Sequence, residues 1–185
     1  MIEFLEDASS SYSPRTWRNA GEADATIAVA IDFNTAGEKL TKKAATTQGK
    51  LFIQLHLNLQ GEIIPEDYDP LQNFIKEFND RGCSILNIAG NGIYTLSRYH
   101  IPQQVLDATI YKLIVYMLFQ GLCKITTIRS GGQTGVDESG LKVGDYLCLR
   151  TICLAPKGWR FRTEDGDIYD EELFKRRFER TLGRL

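Results

Sequence analysis

The sequence predicts an α/β protein in which one doubly wound, mostly parallel sheet carries helices on both faces. Three observations lead there. Five short apolar runs recur along the chain, with the length and β-branched content of strands buried on both faces. Helical segments fall between them, each long enough for one right-handed crossover between parallel strands. The 185 residues are 43% apolar and 25% charged, without a low-complexity linker or an internal repeat, which suits a single globular domain spanning residues 1–185.

The first run is Ala25–Ile31 (ATIAVAI), and the helix expected after it covers residues 37–47. The second is Leu51–Leu57, followed by a helix over 70–81. The third, Ser84–Ala89, leads to a long helix over 102–120, with Pro102 at its first position, where a missing N–H costs nothing. In that helix Val105, Leu106, Ile110, Leu113, Ile114, Met117 and Leu118 form a stripe, and Tyr111, Val115, Tyr116 and Phe119 widen it almost to the full circumference. A helix apolar all round is covered by its own chain or by another copy, so a homo-oligomer is expected. The fourth run is Lys124–Ile128, followed by a helix over 134–149. The fifth is Thr151–Ala155. A last helix, over 170–182, places Phe174, Phe178 and Leu182 on one face.

Composition excludes several classes of function. The net charge of −2 leaves no uniform basic field, so nucleic acid is not an expected partner. The most apolar stretch, Ile110–Phe119, is too short to span a bilayer, so no membrane partner is expected. The opening MIEFLEDASSSYSPR has acids where a secretory leader needs a basic start, and a cytoplasmic location is expected. No cysteine pair has the C-x-x-C spacing, and Cys83, Cys123 and Cys153 read as buried thiols. With only His56 and His100, neither a metal nor a cofactor is implied.

The clearest chemical signal is IRSGGQTGVD, Ile128–Asp137, between a strand and a helix. Its glycines permit close backbone approach, and the helix start offers N–H groups to an oxyanion. Thr134 can cap that helix, with Asp137 three residues later. The pattern is neither the dinucleotide G-x-G-x-x-G nor the Walker sequence. A second signal is APKGWRFRTEDGDIYD, Ala155–Asp170, where Lys157, Arg160 and Arg162 could neutralise an anion or pair with Glu164 and Asp165. Two further strand-to-helix turns, Asp32–Gly37 and Asn87–Gly92, are small and polar. All four leave the carboxyl edge of one sheet, where open α/β sheets bind ligands.

SGGQTGVD followed by PKGWRFRTEDG resembles the molybdenum-carrier group of the SLOG superfamily, Rossmann-like proteins that include the YpsA-like proteins, DprA and the LOG phosphoribohydrolases. The group's segments are matched here in rotated order. Arg15–Asn19 and Ala23–Thr26 come first, then Thr35–Thr41, Leu86–Gly90 and Gly92–Tyr94, and the glycine segment that opens the group's domain comes late. The chain therefore resembles a circularly permuted member, with the helix over 102–120 joining the old end to the old start. The LOG enzymes carry a catalytic Glu where Thr41 stands here, which argues against their chemistry. Trp159 and Phe161 stretch the group's Pro-Lys-Gly-Arg spacing.

The resemblance and the loops together imply an anionic, nucleotide-derived or phosphorylated small molecule as the ligand. The expected contacts are Ser130, Gly131, Gly132, Gln133, Thr134, Gly135 and Asp137, with Asn34, Thr35, Gly37, Thr41 and Asn91 opposite, and Lys157, Gly158, Arg160 and Arg162 at the side. Trp159, Phe161 or Tyr94 could stack a base. The alternatives are an N-glycosidic hydrolase using Asp137, Glu164, Asp165 or Glu38, and a carrier of molybdate or the molybdenum cofactor.

Overall fold

The computed structural model describes residues 1–163 and 165–179. Six parallel strands form one sheet: β1 (Ile2–Glu6), β2 (Ala25–Ala30), β3 (Leu51–His56), β4 (Ile85–Gly90), β5 (Thr127–Ser130) and β6 (Arg150–Ala155), in the order β1-β6-β5-β4-β2-β3. A two-stranded antiparallel hairpin, β7 (Arg160–Thr163) with β8 (Gly166–Tyr169), stands beside it. The helices are α1 (Tyr12–Gly21), α2 (Ala36–Thr47), α3 (Tyr68–Asp80), α4 (Ile93–Leu96), α5 (Gln103–Val115), α6 (Val136–Tyr146) and α7 (Glu171–Arg176).

Because side chains alternate across a strand, each central strand is split between two layers. Leu86 and Ile88 of β4, Ile128 of β5, and Ile27 and Val29 of β2 pack with α3, α5 and α6 in the larger core. Thr26, Asn87 and Arg129 face the other way and form a buried polar row across β2, β4 and β5. That row lies under α1 and α2, which meet through Ala20, Ala44 and Ala45.

The permuted topology is realised. The strand expected at Lys124–Ile128 is β5, third of six in the sheet, with β6 and β4 on either side. Its bounds shift to Thr127–Ser130, because Arg129 and Ser130 are strand residues and buried. Arg129 is paired with Glu22, and the Ser130 hydroxyl donates to Ile88 O at 2.7 Å. The N-terminal strand and the C-terminal part of the described chain also meet, with the Phe4 and Phe178 rings 5.6 Å apart.

Residues 116–120 continue α5 as one wider π turn. Tyr111, Val115 and Tyr116 are half-buried by the chain itself, Tyr111 packing edge-on against Tyr146 of α6. Phe119 is not covered: it is 68% exposed, next to Leu122 at 75%. The C-terminal helix ends at Arg176, and the expected position of Leu182 lies outside the described residues. Cys83, Cys123 and Cys153 are buried free thiols. No helix among the described residues is long and apolar enough to cross a membrane.

Candidate functional site

The strand order reverses between β2 and β4. From β2 the chain moves outward to β3, then returns to β4 and continues through β5 to β6. Such a reversal opens a crevice at the carboxyl ends. A cleft of about 320 Å³ lies there, lined by Gly37 at the start of α2, Gly90 and Gly92 after β4, Tyr94 of α4, Gln133 and Thr134 after β5, and Arg160, Arg162 and Asp167 of the hairpin. Tyr12, Arg15 and Asp137 also line it. A cavity of about 20 Å³ adjoins it, sharing Tyr12, Arg15 and Asp137 and reaching Asn19, Thr41, Asn87 and Gly131.

The loops are held in register by side-chain clamps. Asn91 is 1% exposed; its Oδ1 accepts from the N–H groups of Ile31 and Asp32, and its Nδ2 donates to Asp32 O and to Glu38 Oε1. Gln103, at the start of α5, pairs with both backbone groups of Gly135, accepting from its N–H at 2.9 Å and donating to its carbonyl at 3.0 Å. Arg177 lies over the rings of Phe161 and Phe174 and donates to Gly132 O at 2.8 Å and to Glu138 at 2.5 Å. Loops fixed this way hold their shape through the chain's own contacts.

Two buried acids stand at this end of the sheet: Asp137 lines both cavities, whereas Glu38 lines neither and lies behind Asn91. Glu38 is 4% exposed, and its Oε2 has no partner among the described residues. Burial, reinforced by the charge of Asp137, pushes its carboxyl up to about 8, against the opposing hydrogen bond from Asn91. Burial also raises Asp137 to about 6, opposed first by the Arg15 guanidinium and then by the backbone N–H of Gln133. Both acids therefore hold their protons more tightly than free carboxyls do, Glu38 more so than Asp137. Burial pushes the Tyr12 phenol up as well, with help from both acids. Arg15 is 2% exposed and donates to Gly131 O at 3.0 Å and Leu154 O at 3.3 Å, yet its Nε and Nη2 have no partner among the described residues. Where the pair of cavities runs, the sheet thus carries a buried cation with spare donors beside the Asp137 carboxyl.

Most of the glycine segment serves as scaffold. Ser130 is fully buried. Gly131 lines the small cavity, and a Cβ there would meet Asp137 Oδ2 at 2.7 Å, so any side chain would displace that carboxylate. Gly132 has φ +69°, and a Cβ there would lie 2.5 Å from Cys153 Sγ and 2.8 Å from Phe174, so it points into the core and not toward a ligand. Gln133 and Thr134 reach the main cleft. Thr134 does not cap α6: its hydroxyl donates to Arg162 O at 2.6 Å, and Gly135 takes the N-cap position. At the start of α6 the Gly135 N–H is taken by Gln103 and the Val136 N–H by Asn91 O, so neither is free for an oxyanion. On the opposite side Gly37 lines the cleft and Thr41 the small cavity. Asn34 is exposed in an Asx turn closed by Asp32 Oδ1, and Thr35 caps α2 by accepting from Glu38 N–H.

The cation group divides. Arg160 and Arg162 line the cleft, but Lys157 is exposed outside it and Gly158 is bound through its N–H to Glu6. The acid that faces the two arginines is Asp167, at 2.8 Å from Arg162 and 3.8 Å from Arg160. Glu164 lies outside the described residues. Trp159 and Phe161 belong to an aromatic cluster with Phe174 and cannot stack a base in the cleft. Tyr94 can: its ring is 53% exposed in the wall, with Arg98 4.5 Å and Arg162 5.8 Å from its centre.

A family model described as the circularly permutated YpsA SLOG family matches residues 3–100, more than half of the chain. The chain belongs to this family. No curated protein and no solved structure matches it. The matched residues of this YpsA-like chain hold β1 through β4 with α1 and α2, and so Tyr12, Arg15, Gly37, Glu38 and Asn91. The Gly131–Gly135 loop and the arginine hairpin lie beyond them and complete the cleft from the other side.

Sequence reasoning passed over Arg15, Tyr12 and Gln103 as site residues. Arg15 and Asn19 appear only within the family resemblance, because α1 was not expected as a helix. The spacing of Tyr12, Arg15 and Asn19, three and four residues apart, was the available signal for one helical face turned to the sheet.

Proposed function

We propose that the cleft binds a nucleotide-derived or phosphorylated anionic small molecule. The observation that carries this reading is the arrangement in a single cleft of Asp137 at the floor, Arg160 and Arg162 in the wall, and the Tyr94 ring beside them. A carboxylate is the usual acceptor for ribose hydroxyls. Guanidinium groups suit phosphate through paired donors, and an exposed tyrosine ring suits a base. The homo-oligomer expected from α5 would use Phe119 and Leu122, the two apolar side chains most exposed at the end of that helix.

The test is a thermal-shift screen with nucleoside mono- and diphosphates, ADP-ribose-type compounds, cyclic nucleotides and molybdate. A ligand at about 100 times its Kd stabilises the fold by about 2.7 kcal/mol. Calorimetric titration of the best compound should then lose at least tenfold in affinity in Gly37→Asp. A side chain at Gly37 meets only ordinary contacts, 3.6 Å to the Tyr12 hydroxyl, and an acid suits the first turn of α2. Failure of every compound, or unchanged affinity in Gly37→Asp, rejects the reading.

The buried acid pair favours a second reading, hydrolysis of the N-glycosidic bond of the bound nucleotide. Acids whose environments push their pKa values apart commonly divide proton donation and acceptance between them, and Asp137 is the one that lines the cleft. Incubation with the bound compound should then release free base. Asp137→Asn should abolish release while retaining measurable binding. Binding without release in the wild type leaves the protein a binder.

A further inference from the structure

A third cavity, of about 290 Å³, shares no lining residue with the cleft or with the small cavity beside it. It opens between α3, the segment after β3 and the C-terminal half of α5. Its apolar floor is Ile63, Leu71 and Leu113, with Leu71 and Leu113 nearly fully buried. The Tyr68 and Tyr116 rings flank it. Glu62 and Lys112 line the same space, and among the described residues neither takes part in an ion pair with the other or with any other group. The Thr109 hydroxyl is already used, donating to Gly61 O at 2.7 Å, so the cavity's unspent polar groups are dominated by one acid and one ammonium.

We propose that this cavity binds an α-amino acid with an apolar side chain, its ammonium on Glu62, its carboxylate on Lys112 and its side chain against Leu71 and Leu113. The argument is one of desolvation. Glu62 and Lys112 are both exposed, but a ligand that fills the cavity they line takes part of the water from each, and a charge that loses water without gaining a counter-charge is left less stable. A neutral or singly charged molecule therefore strands at least one of the two, whereas a zwitterion compensates both. The volume is at the small end of ligand pockets, which suits a single amino acid and not a folded partner. The occupant also sits on α5, whose other end carries Gln103, the clamp on Gly135, about 14 Å away at 1.5 Å per residue. This inference does not depend on what the cleft binds.

Calorimetric titration of the full chain with L-leucine, N-acetyl-L-leucine and L-leucinamide tests it. L-leucine should bind, and each blocked analogue should bind at least tenfold more weakly. Glu62→Gln and Lys112→Gln replace exposed side chains, so the fold should be kept. Glu62→Gln should no longer discriminate against N-acetyl-L-leucine, and Lys112→Gln should no longer discriminate against L-leucinamide. Gly37→Asp should leave L-leucine binding unchanged, which separates this cavity from the cleft. No binding of L-leucine to the wild type, or variants that keep the wild-type preferences, overturns the proposal.

Discussion

Glu38→Gln should melt at the same temperature as the wild type below about pH 4.5 and progressively higher above it, with the gap levelling off above about pH 8. The sign follows from proton linkage. The folded chain holds the Glu38 proton up to about pH 8, while the unfolded chain releases it near 4.5. Between those values the native state binds more protons than the unfolded state, so wild-type stability falls as pH rises. Glutamine keeps the neutral shape and an oxygen for Asn91 Nδ2, which donates to Glu38 Oε1 at 3.3 Å, and never ionises. The rise corresponds to about 4–5 kcal/mol, or about 10 °C or more for a chain of this size. Thermal melts of both proteins across pH 4 to 9 measure it. Parallel curves would mean that Glu38 is not buried in its acid form.

Much of this architecture is legible in the sequence because the central strands are continuous apolar runs. Ala25–Ala30 is buried at every position, and a run of that kind has few other places to go. The edges are harder to read. β1 alternates Ile2 and Phe4 with Glu3 and ends in Glu6, because an edge strand faces solvent on one side; its acids look like a polar leader until Glu3 meets Arg150 and the strand pairs with β6. The β7–β8 hairpin is hidden for a related reason, since its strands carry Arg160, Arg162 and Asp167, with one carboxylate shared between the two guanidinium groups.

The candidate site is legible in its location and not in its residues. Glycine loops on one sheet edge place a cleft, but nothing in a linear sequence separates Glu38 from Asp165 or Glu164. What distinguishes Glu38 is burial beneath Asn91, a residue 53 positions away. Arg15 is similar: its partners are the carbonyls of Gly131 and Leu154, 116 and 139 positions away. Gly132 shows the opposite failure. Its place in a glycine-rich turn suggests that Gly132→Asp would set a carboxylate in the ligand's position, whereas its positive φ and the contacts with Cys153 and Phe174 mean that this change would damage the core.

Gly90→Ala should be the most damaging single-methyl change in the cleft. Gly90 ends β4 at the reversal point, beside β2, and a Cβ there would lie 1.9 Å from Val29 O and 2.9 Å from the Val136 Cβ. Neither neighbour can give way cheaply. Val29 O belongs to the backbone of a central strand and accepts from Asn91 N–H at 3.2 Å, so moving it also loosens the Asn91 clamp on Ile31 and Asp32. Val136 opens α6 and is fully buried. A clash with backbone on one side and core on the other belongs to the mechanisms that cost more than about 4 kcal/mol, against a total stability of about 5–15 kcal/mol for a typical domain. Gly92→Ala is the control, because a Cβ two residues later meets nothing closer than Thr134 O at 3.5 Å. Denaturant unfolding of the two variants should separate them: Gly92→Ala within about 1 kcal/mol of wild type, since Gly92 lies at the N-cap of the short helix α4, and Gly90→Ala several kcal/mol below it or unfolded. Equal stabilities would mean that β2 and β4 are not drawn together at Gly90 as described, and that the cleft floor is wider than the one built here by Gly37, Asp137 and Gly90.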